Sequence, residues 1–322
     1  MNRGDESMSQ DINATAETEF RFVTVAQRKV LSQEESENNA TTSVSFSRQF
    51  AKKFFSERIS TIWLIILCLI VLIAIFGGAI YGYDPNRINS ELQNQAPSLS
   101  HLFGTDRLGR DIFVRASAGV RVSLMVAIVS TALSIVFGTI YGVTMAFIGG
   151  KTDAIMLRII EIFNSIPSLL ITMILMAILG NGVITMLFAL AVTSWAGAAR
   201  QTRGLVKQLK NLDYVTAAKM LNTPLWKITL KHFVPNMMSI LILDIGRSIP
   251  DNIFAEASLS FLGLGLQPPN TSLGILISVG QEQMLQHPYQ LYIPIVILIL
   301  LVLAFNIVGD GIRDALDPRY SV

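Results

Sequence analysis

Apolar runs of bilayer length alternate with shorter polar connections over most of the chain: Ile59–Tyr81, Val122–Ile148, Ile155–Leu179, Val183–Ala199, Met237–Leu262 and Leu291–Gly309. About 20 apolar residues in α-helical form, at 1.5 Å each, cross a hydrocarbon core. Within lipid every backbone N–H and C=O must bond inside its own segment, so each run is predicted to be a helix. The first is entered through Lys52, Lys53 and Arg58, and the fourth is short, with Trp195 anchoring one end. Six spans place both chain ends on one side of the membrane.

The connections orient the bundle. Lys151 and Arg158 flank the second, the third (Gly180–Gly182) carries no charge, and the fifth, Gly263 to Gln290, has no Lys or Arg. Seven bases fill the fourth and Arg313 and Arg319 follow the last span. Positive charge collects on the cytoplasmic side, so both termini are expected there. The first external loop departs from this pattern with Arg87, Arg107, Arg110, Arg115 and Arg121, interleaved with Asp84, Glu91, Asp106 and Asp111. Residues 1–50, with eight acids, five bases and no signal-peptide core, read as a largely disordered cytoplasmic tail, with one short helix or strand allowed at Phe20–Leu31. Residues 51–117 then form a first span with its external loop, and 118–322 the core, including the loop 200–236 and a C-terminal tail.

Composition narrows the function. Of 322 residues 51% are apolar and 15% charged, well under the roughly 25% charge of soluble domains. The net charge of +2 has no clustering that would suit nucleic acid. Cys68 stands alone, and His101, His232 and His287 are far apart, which excludes an intrachain disulfide and leaves no metal-ligand spacing. GxxxxGK[ST], GxSxG, HExxH and CxxC motifs are all absent. The chain is therefore expected to be no enzyme and to bind no cofactor itself; any ATP-driven work needs a partner. An ion-driven secondary transporter, the alternative from another class, would carry inverted repeats, and the central loop has no second copy.

That loop, Arg200 to Asn236, holds Arg200, Arg203, Lys207, Lys210, Lys219, Lys227 and Lys231 against one acid, Asp213. Asp213 is expected to cap a helix that continues through Tyr214 and Thr216 to Leu221, with Ala217 and Ala218 small enough to let another surface approach. Asn222 tolerates the left-handed conformation that stops a helix, Pro224 begins the next, and Pro235 is expected to end it. The product is a helix–turn–helix across the cytoplasmic face.

Thr216-Ala217-Ala218-x-x-x-Asn222, ending in Val234-Pro235, resembles the EAA loop of bacterial ABC importer permeases, with Thr216 at the Glu position and Asn222 at the Gly position. Phe103–Asp111 with Gly119–Leu124, Glu256–Pro269 with Ser272–Gly274, and Asn306–Arg319 are similar to motifs of the peptide and nickel permease group. The resemblance runs from about Arg48 to the end and is strongest to the C-type permease of oligopeptide and dipeptide importers. It implies a type I ABC importer permease of MetI-like fold, pairing with a second, homologous permease. Two cytoplasmic ATPases that hold ATP and Mg would bind below, and an extracytoplasmic peptide-binding protein would deliver from above, in a bacterial cytoplasmic membrane. Tyr214–Leu221 would be the coupling helix. The scaffold also suits nickel, glutathione or another small solute.

Charges inside the spans are the remaining candidates. Asp244, Arg247 and Asp251 recur at i, i+3 and i+7 on one helix face, and Glu256 lies just beyond. Charge at membrane depth faces a partner or a water-filled path. Two readings stand: ion pairs between subunits, or contacts with the charged ends of a peptide. Pro250 interrupts this helix. Glu161, Asn164 and Pro167 of the third span are assigned to packing, with a kink expected at the proline. Gly78/Gly82 and Gly138/Gly142 have GxxxG spacing, with no partner assigned.

Overall fold

The computed structural model describes residues 46–267 and 270–316. The expectations for the N-terminal tail before Phe46, for Pro268 and Pro269 and for Arg319 fall outside them. The chain divides into two compact units, Met1–Lys53 and Phe54–Val322. Helix α1 (Phe46–Ser56) begins inside the stretch read as the tail.

Among the described residues the second unit is helical, with no strand and one isolated bridge, Thr105 to Asp111. Helix α2 (Arg58–Tyr81) is apolar on every side and closes on Gly82, whose φ of 67° lets its N–H reach the Gly78 carbonyl. Helix α3 (Ile112–Ile148) has 37 residues, about 55 Å at 1.5 Å per residue, and so overshoots a ~30 Å hydrocarbon core. Its start was placed ten residues too late by hydropathy: Asp111 caps it, accepting from Val114 N–H at 2.9 Å.

The third apolar run is two helices, not one kinked span. Helix α4 (Gly150–Ser165) and helix α5 (Ser168–Leu179) meet at 87°. Ile166, before Pro167, is extended at φ −102°, ψ 131°, because the proline ring disfavours the helical conformation of the residue preceding it. Helix α6 (Val183–Leu209) runs ten residues past the expected end at Ala199 and is not short. Trp195 is buried against Phe137, Tyr141 and Phe163, and is no interfacial anchor. Helix α7 (Asp213–Met220) and helix α8 (Leu225–Ile228) follow, then a π turn (Thr229–Phe233) leading into helix α9 (Val234–Phe261). Helix α10 (Leu273–Glu282) lies in the fifth connection, where hydropathy showed none, and helix α11 (Tyr289–Leu316) ends the described chain. Among the described residues five helices are long and apolar enough to cross a membrane, and six spans result if α4 and α5 count as one.

Packing is organised around α3. Its Gly138 and Gly142 are the pair that lets another helix in. A Cβ on Gly142 would stand 2.4 Å from the Ala199 carbonyl oxygen, and one on Gly138 2.7 Å from Ala198 Cβ, so α3 and α6 touch backbone to backbone. Gly82 faces open space, and the close approach of α2 falls instead at Gly77, against Ser117. One apolar core joins α2, α3, α9 and α11 through Leu67, Leu124, Ile253 and Leu301. Another joins α3, α5, α6 and α9 through Val126, Met176, Met186 and Leu259. Helices α9 and α11 cross where Gly246 meets Gly309.

The arginine-rich segment before α3 neutralises itself. Asp106 accepts from Arg110 Nε at 2.7 Å, with the buried Arg115 at 3.7 Å, and Arg107 pairs with Glu282 of α10 at 2.5 Å. His101 and Asp111 meet at 2.7 Å. Tyr289 Oη donates to the Gln95 carbonyl at 2.9 Å, tying this segment to the start of α11.

Candidate functional site

Two places concentrate polar chemistry: the base-rich loop between α6 and α9, and a cavity between these same helices at membrane depth.

In the loop, Asp213 is the first residue of α7 rather than its cap; Leu212 holds the cap position and makes no side-chain bond. The acid still favours the positive end of the helix dipole. Val215 and Ala218 are buried against Val143 and Ala146 of α3, Val206 of α6, and Ile228, Phe233 and Met237. Successive residues on a helix point about 100° apart, so the alanine pair divides. Ala218 seats the helix on its own scaffold, and Ala217 faces outward with Tyr214, Thr216, Met220 and Leu221, the last 80% exposed.

Asn222 stops the helix as its chemistry suggests. At φ 53° it donates its N–H to the Lys219 carbonyl, while Thr223 N–H reaches the Ala218 carbonyl, the paired bonds of a Schellman turn. Pro224 takes the cap position of α8, and the helix proper begins at Leu225. Pro235 does not end that helix. Having no N–H and a ring that collides with the carbonyl four residues back, it forces a wider turn upstream. Val234 N–H bonds to Thr229, five residues back, and the helical run carries on to Phe261. The second arm of the loop is thereby continuous with a membrane span.

Most of the loop's bases face inward. Arg203 Nε and Nη2 donate to the two carboxylate oxygens of Asp153 on α4 at 2.5 and 2.8 Å, and Lys207 Nζ adds a third bond at 2.7 Å. This arrangement holds the Asp153 carboxyl between two cations in a fixed fork. Lys210 Nζ donates to the Ala146 carbonyl at 2.8 Å. Lys219 Nζ donates to the Lys210 carbonyl at 3.1 Å and lies 4.8 Å from the Phe147 ring. Tyr214 packs on His232, ring centroids 5.5 Å apart. Asp153 was missed in the sequence; its signal was an acid in the first turn of a helix, opposite a segment crowded with bases.

The cavity, of about 270 Å³, is lined by Ser194, Gly197, Ala198 and Gln201 of α6 and by Asp244, Ser248, Asp251 and Asn252 of α9. With its amide nitrogen turned toward the acid, Gln201 donates to both Asp244 oxygens at 2.8 and 2.7 Å. Asn252 is 4% exposed and donates to Thr131 Oγ1 at 2.9 Å. Among the described residues no Lys, Arg or His lies within 4.0 Å of Asp244 or Asp251, and Arg247 has no carboxylate within that distance. The i, i+3, i+7 spacing thus brings the two acids to one cavity without pairing them to the arginine between.

Glu256 belongs elsewhere. It is 0% exposed, away from the cavity lining, and accepts from Ser123 Oγ at 2.6 Å and Ser260 Oγ at 2.8 Å. Hydroxyl donors from α3 and α9 satisfy it in place of a cation. Gly274 of α10 packs on the backbone of Ala257 just beside it. Glu161, assigned to packing, is instead exposed on α4 and pairs locally with Arg158 at 2.9 Å.

The described residues thus form a helical membrane bundle with an outward-facing, internally braced loop helix. Comparisons with known proteins say which family builds such a bundle. Residues 134–322 match the family described as binding-protein-dependent transport system inner membrane component, and residues 45–97 match the N-terminal transmembrane domain of oligopeptide transport permease C. The chain is 39% identical over 285 residues to the oligopeptide transport system permease protein OppC of Bacillus subtilis, covering 88% of this chain and 93% of the relative. It is 38% identical over 294 residues to the dipeptide transport system permease protein DppC of the same organism, covering 90% and 92%. To the glutathione transport system permease protein GsiD of Pectobacterium atrosepticum it is 34% identical over 273 residues, covering 84% and 91%. The chain belongs to the binding-protein-dependent transport permease family and is a multi-pass membrane protein.

Proposed function

We propose that this chain is one permease subunit of an ATP-driven importer of oligopeptides in a bacterial cytoplasmic membrane. It pairs with a second, homologous permease, docks one of two cytoplasmic ATPases through α7, and receives peptide from an extracytoplasmic binding protein. ATP and Mg are bound by the ATPases. The concentration of Lys and Arg around the 200–236 loop supports a cytoplasmic face there, and with it cytoplasmic termini.

The observation that carries this reading is the two-faced seating of α7. Val215 and Ala218 lock the helix to α3, α6 and the start of α9, and Tyr214, Ala217, Met220 and Leu221 are left as a contiguous outward surface. Any displacement applied to that surface passes through Ile228, Phe233 and Met237 into the helical run from Leu225 to Phe261. From Ile228 to Ser248 this run covers about 30 Å at 1.5 Å per residue, so a push at the loop arrives at the cavity wall. ATP drives the cycle only by favouring one of two conformations over the other. The cavity between α6 and α9 supplies this chain's share of the path.

Ala217→Glu tests the docking face. The residue is exposed, so the variant folds and inserts, and we expect it to lose the ATPases in a pull-down and to lose ATP-dependent uptake. Retention of both ATPases with uptake intact would overturn the assignment. Glutathione or nickel import through the same scaffold is the alternative, and competition among labelled peptide, glutathione and nickel for uptake separates the three.

A further inference from the structure

Asp244 and Asp251 are acids at membrane depth, where an uncompensated charge is costly and is kept for a partner or a path. Their surroundings specify the partner's chemistry. The cavity's walls contain no cationic residue; Arg247, between the two acids on α9, acts on both from outside the lining and beyond salt-bridge distance. Gln201 spends its donors on Asp244 and so fixes that carboxylate in place. Asn252, nine-tenths buried at the wall, spends its amide nitrogen on Thr131 and leaves its oxygen without a protein partner. Asp251 is left with no hydrogen-bond donor among the described residues. Apart from the Ser248 hydroxyl, which can donate as well as accept, the unclaimed groups here are acceptors, and two of the lining side chains are carboxylates. The complement is a compact cation with several N–H donors. An alkylammonium has three such donors and no acceptor. A volume of about 270 Å³ falls just under the ~300–1,000 Å³ of pockets that enclose whole drug-sized ligands, so it suits one end of a chain molecule better than all of it.

We infer that this cavity receives the α-ammonium end of the peptide in transit, with Asp251 as its principal acceptor, Asn252 Oδ1 as a second, and Asp244 held by Gln201 as the flanking charge. This rests on the peptide-import reading. No covalent step is involved: the ammonium exchanges water for carboxylate and amide oxygens and is released when the bundle opens to the other side. The site gives the path a preference for free amino termini that is separate from any selection by the binding protein.

The test uses the full complex of both permeases and both ATPases and two probes: trialanine and amino-acetylated trialanine. ATP-dependent uptake of trialanine is measured first, with the binding protein present; its absence overturns the peptide-import reading and this site with it. Equilibrium dialysis of the binding-protein-free complex then addresses the site alone. The native complex is expected to retain trialanine about tenfold better than the acetylated form, the scale of one lost charge-assisted contact. Asp251→Asn is expected to lower trialanine retention to the acetylated level, with Asp251→Glu restoring most of it. Asp244→Asn should give a smaller loss. Equal retention of the two probes by the native complex, or undiminished trialanine retention by an assembled Asp251→Asn complex, overturns the inference while leaving peptide import standing. If Asp251→Asn fails to assemble, the native comparison of the two probes decides.

Discussion

Two carboxylates contact helix α6, and they are treated in opposite ways. At the base-rich end Asp153 meets Arg203 in a bidentate fork and Lys207 beside it. Nearer the middle of the bundle, Asp244 bonds the neutral amide of Gln201, Asp251 lies two turns further along the same helix, and Arg247 between them acts on both only from beyond salt-bridge distance. A charge kept for holding parts together is matched by opposite charge and by hydrogen bonds. A charge held in place by a neutral donor and left without a close ion pair is available to something that arrives and leaves. Glu256 shows a third solution, full burial under serine hydroxyls, which gives rigidity with no exposure to a path.

The contrast can be broken deliberately, and the largest effect is expected on the braced side. Ala218→Glu places a carboxylate in the apolar seat of α7, at a position 8% exposed. An unpaired buried charge there should cost at least about 3 kcal/mol and abolish expression of folded protein, read as lost thermal transition and lost membrane yield. Ala217→Glu, one residue away but exposed, should leave stability within about 0.5 kcal/mol. If both variants behave alike, the inward and outward faces of α7 are wrongly assigned.

Asp153→Ala is next. It strands Arg203 and Lys207, whose side chains are only partly exposed, and should cost about 1–3 kcal/mol. Because the clamp ties α4 to the helix leading into the loop, the variant should still dock ATPases yet transport fewer peptides per ATP hydrolysed. That ratio is measured in proteoliposomes. Unchanged coupling would make the clamp a matter of stability alone.

Arg247→Ala should have the smallest effect on the isolated chain. With no intrachain ion pair to lose, its stability should change by no more than about 0.5 kcal/mol in thermal unfolding. Measuring the same variant in the assembled complex sharpens the comparison. A larger loss there would place the arginine's partner on the neighbouring subunit.

Some of this was legible in the residues themselves. Asn222 predicted the stop of α7 because a left-handed turn needs a residue that tolerates positive φ. Gly138 and Gly142 carried the spacing of a close helix contact, but so did Gly78 and Gly82, of which Gly82 faces open space. Pro167 and Pro235 illustrate a subtler limit. Each was read as a local event, a kink and a stop. The first became an 87° break and the second a π turn inside a continuing helix. A proline says only that one hydrogen bond is missing and one ring must be accommodated; how the chain absorbs that depends on what the flanking turns pack against.

The sequence by itself determined that this is a helical membrane protein with one base-rich loop of helix–turn–helix form, since bilayer thickness, backbone hydrogen bonding and residue type act locally. Tertiary structure decided which charges are spent and which are free. Arg203 and Asp153 stand fifty residues apart, Ser123 and Glu256 133 apart, and Gln201 and Asp244 on different spans. Electrostatic pairing depends on distance through space, and nothing in the linear order records whether a given carboxylate finds a cation, a pair of serine hydroxyls or an open cavity.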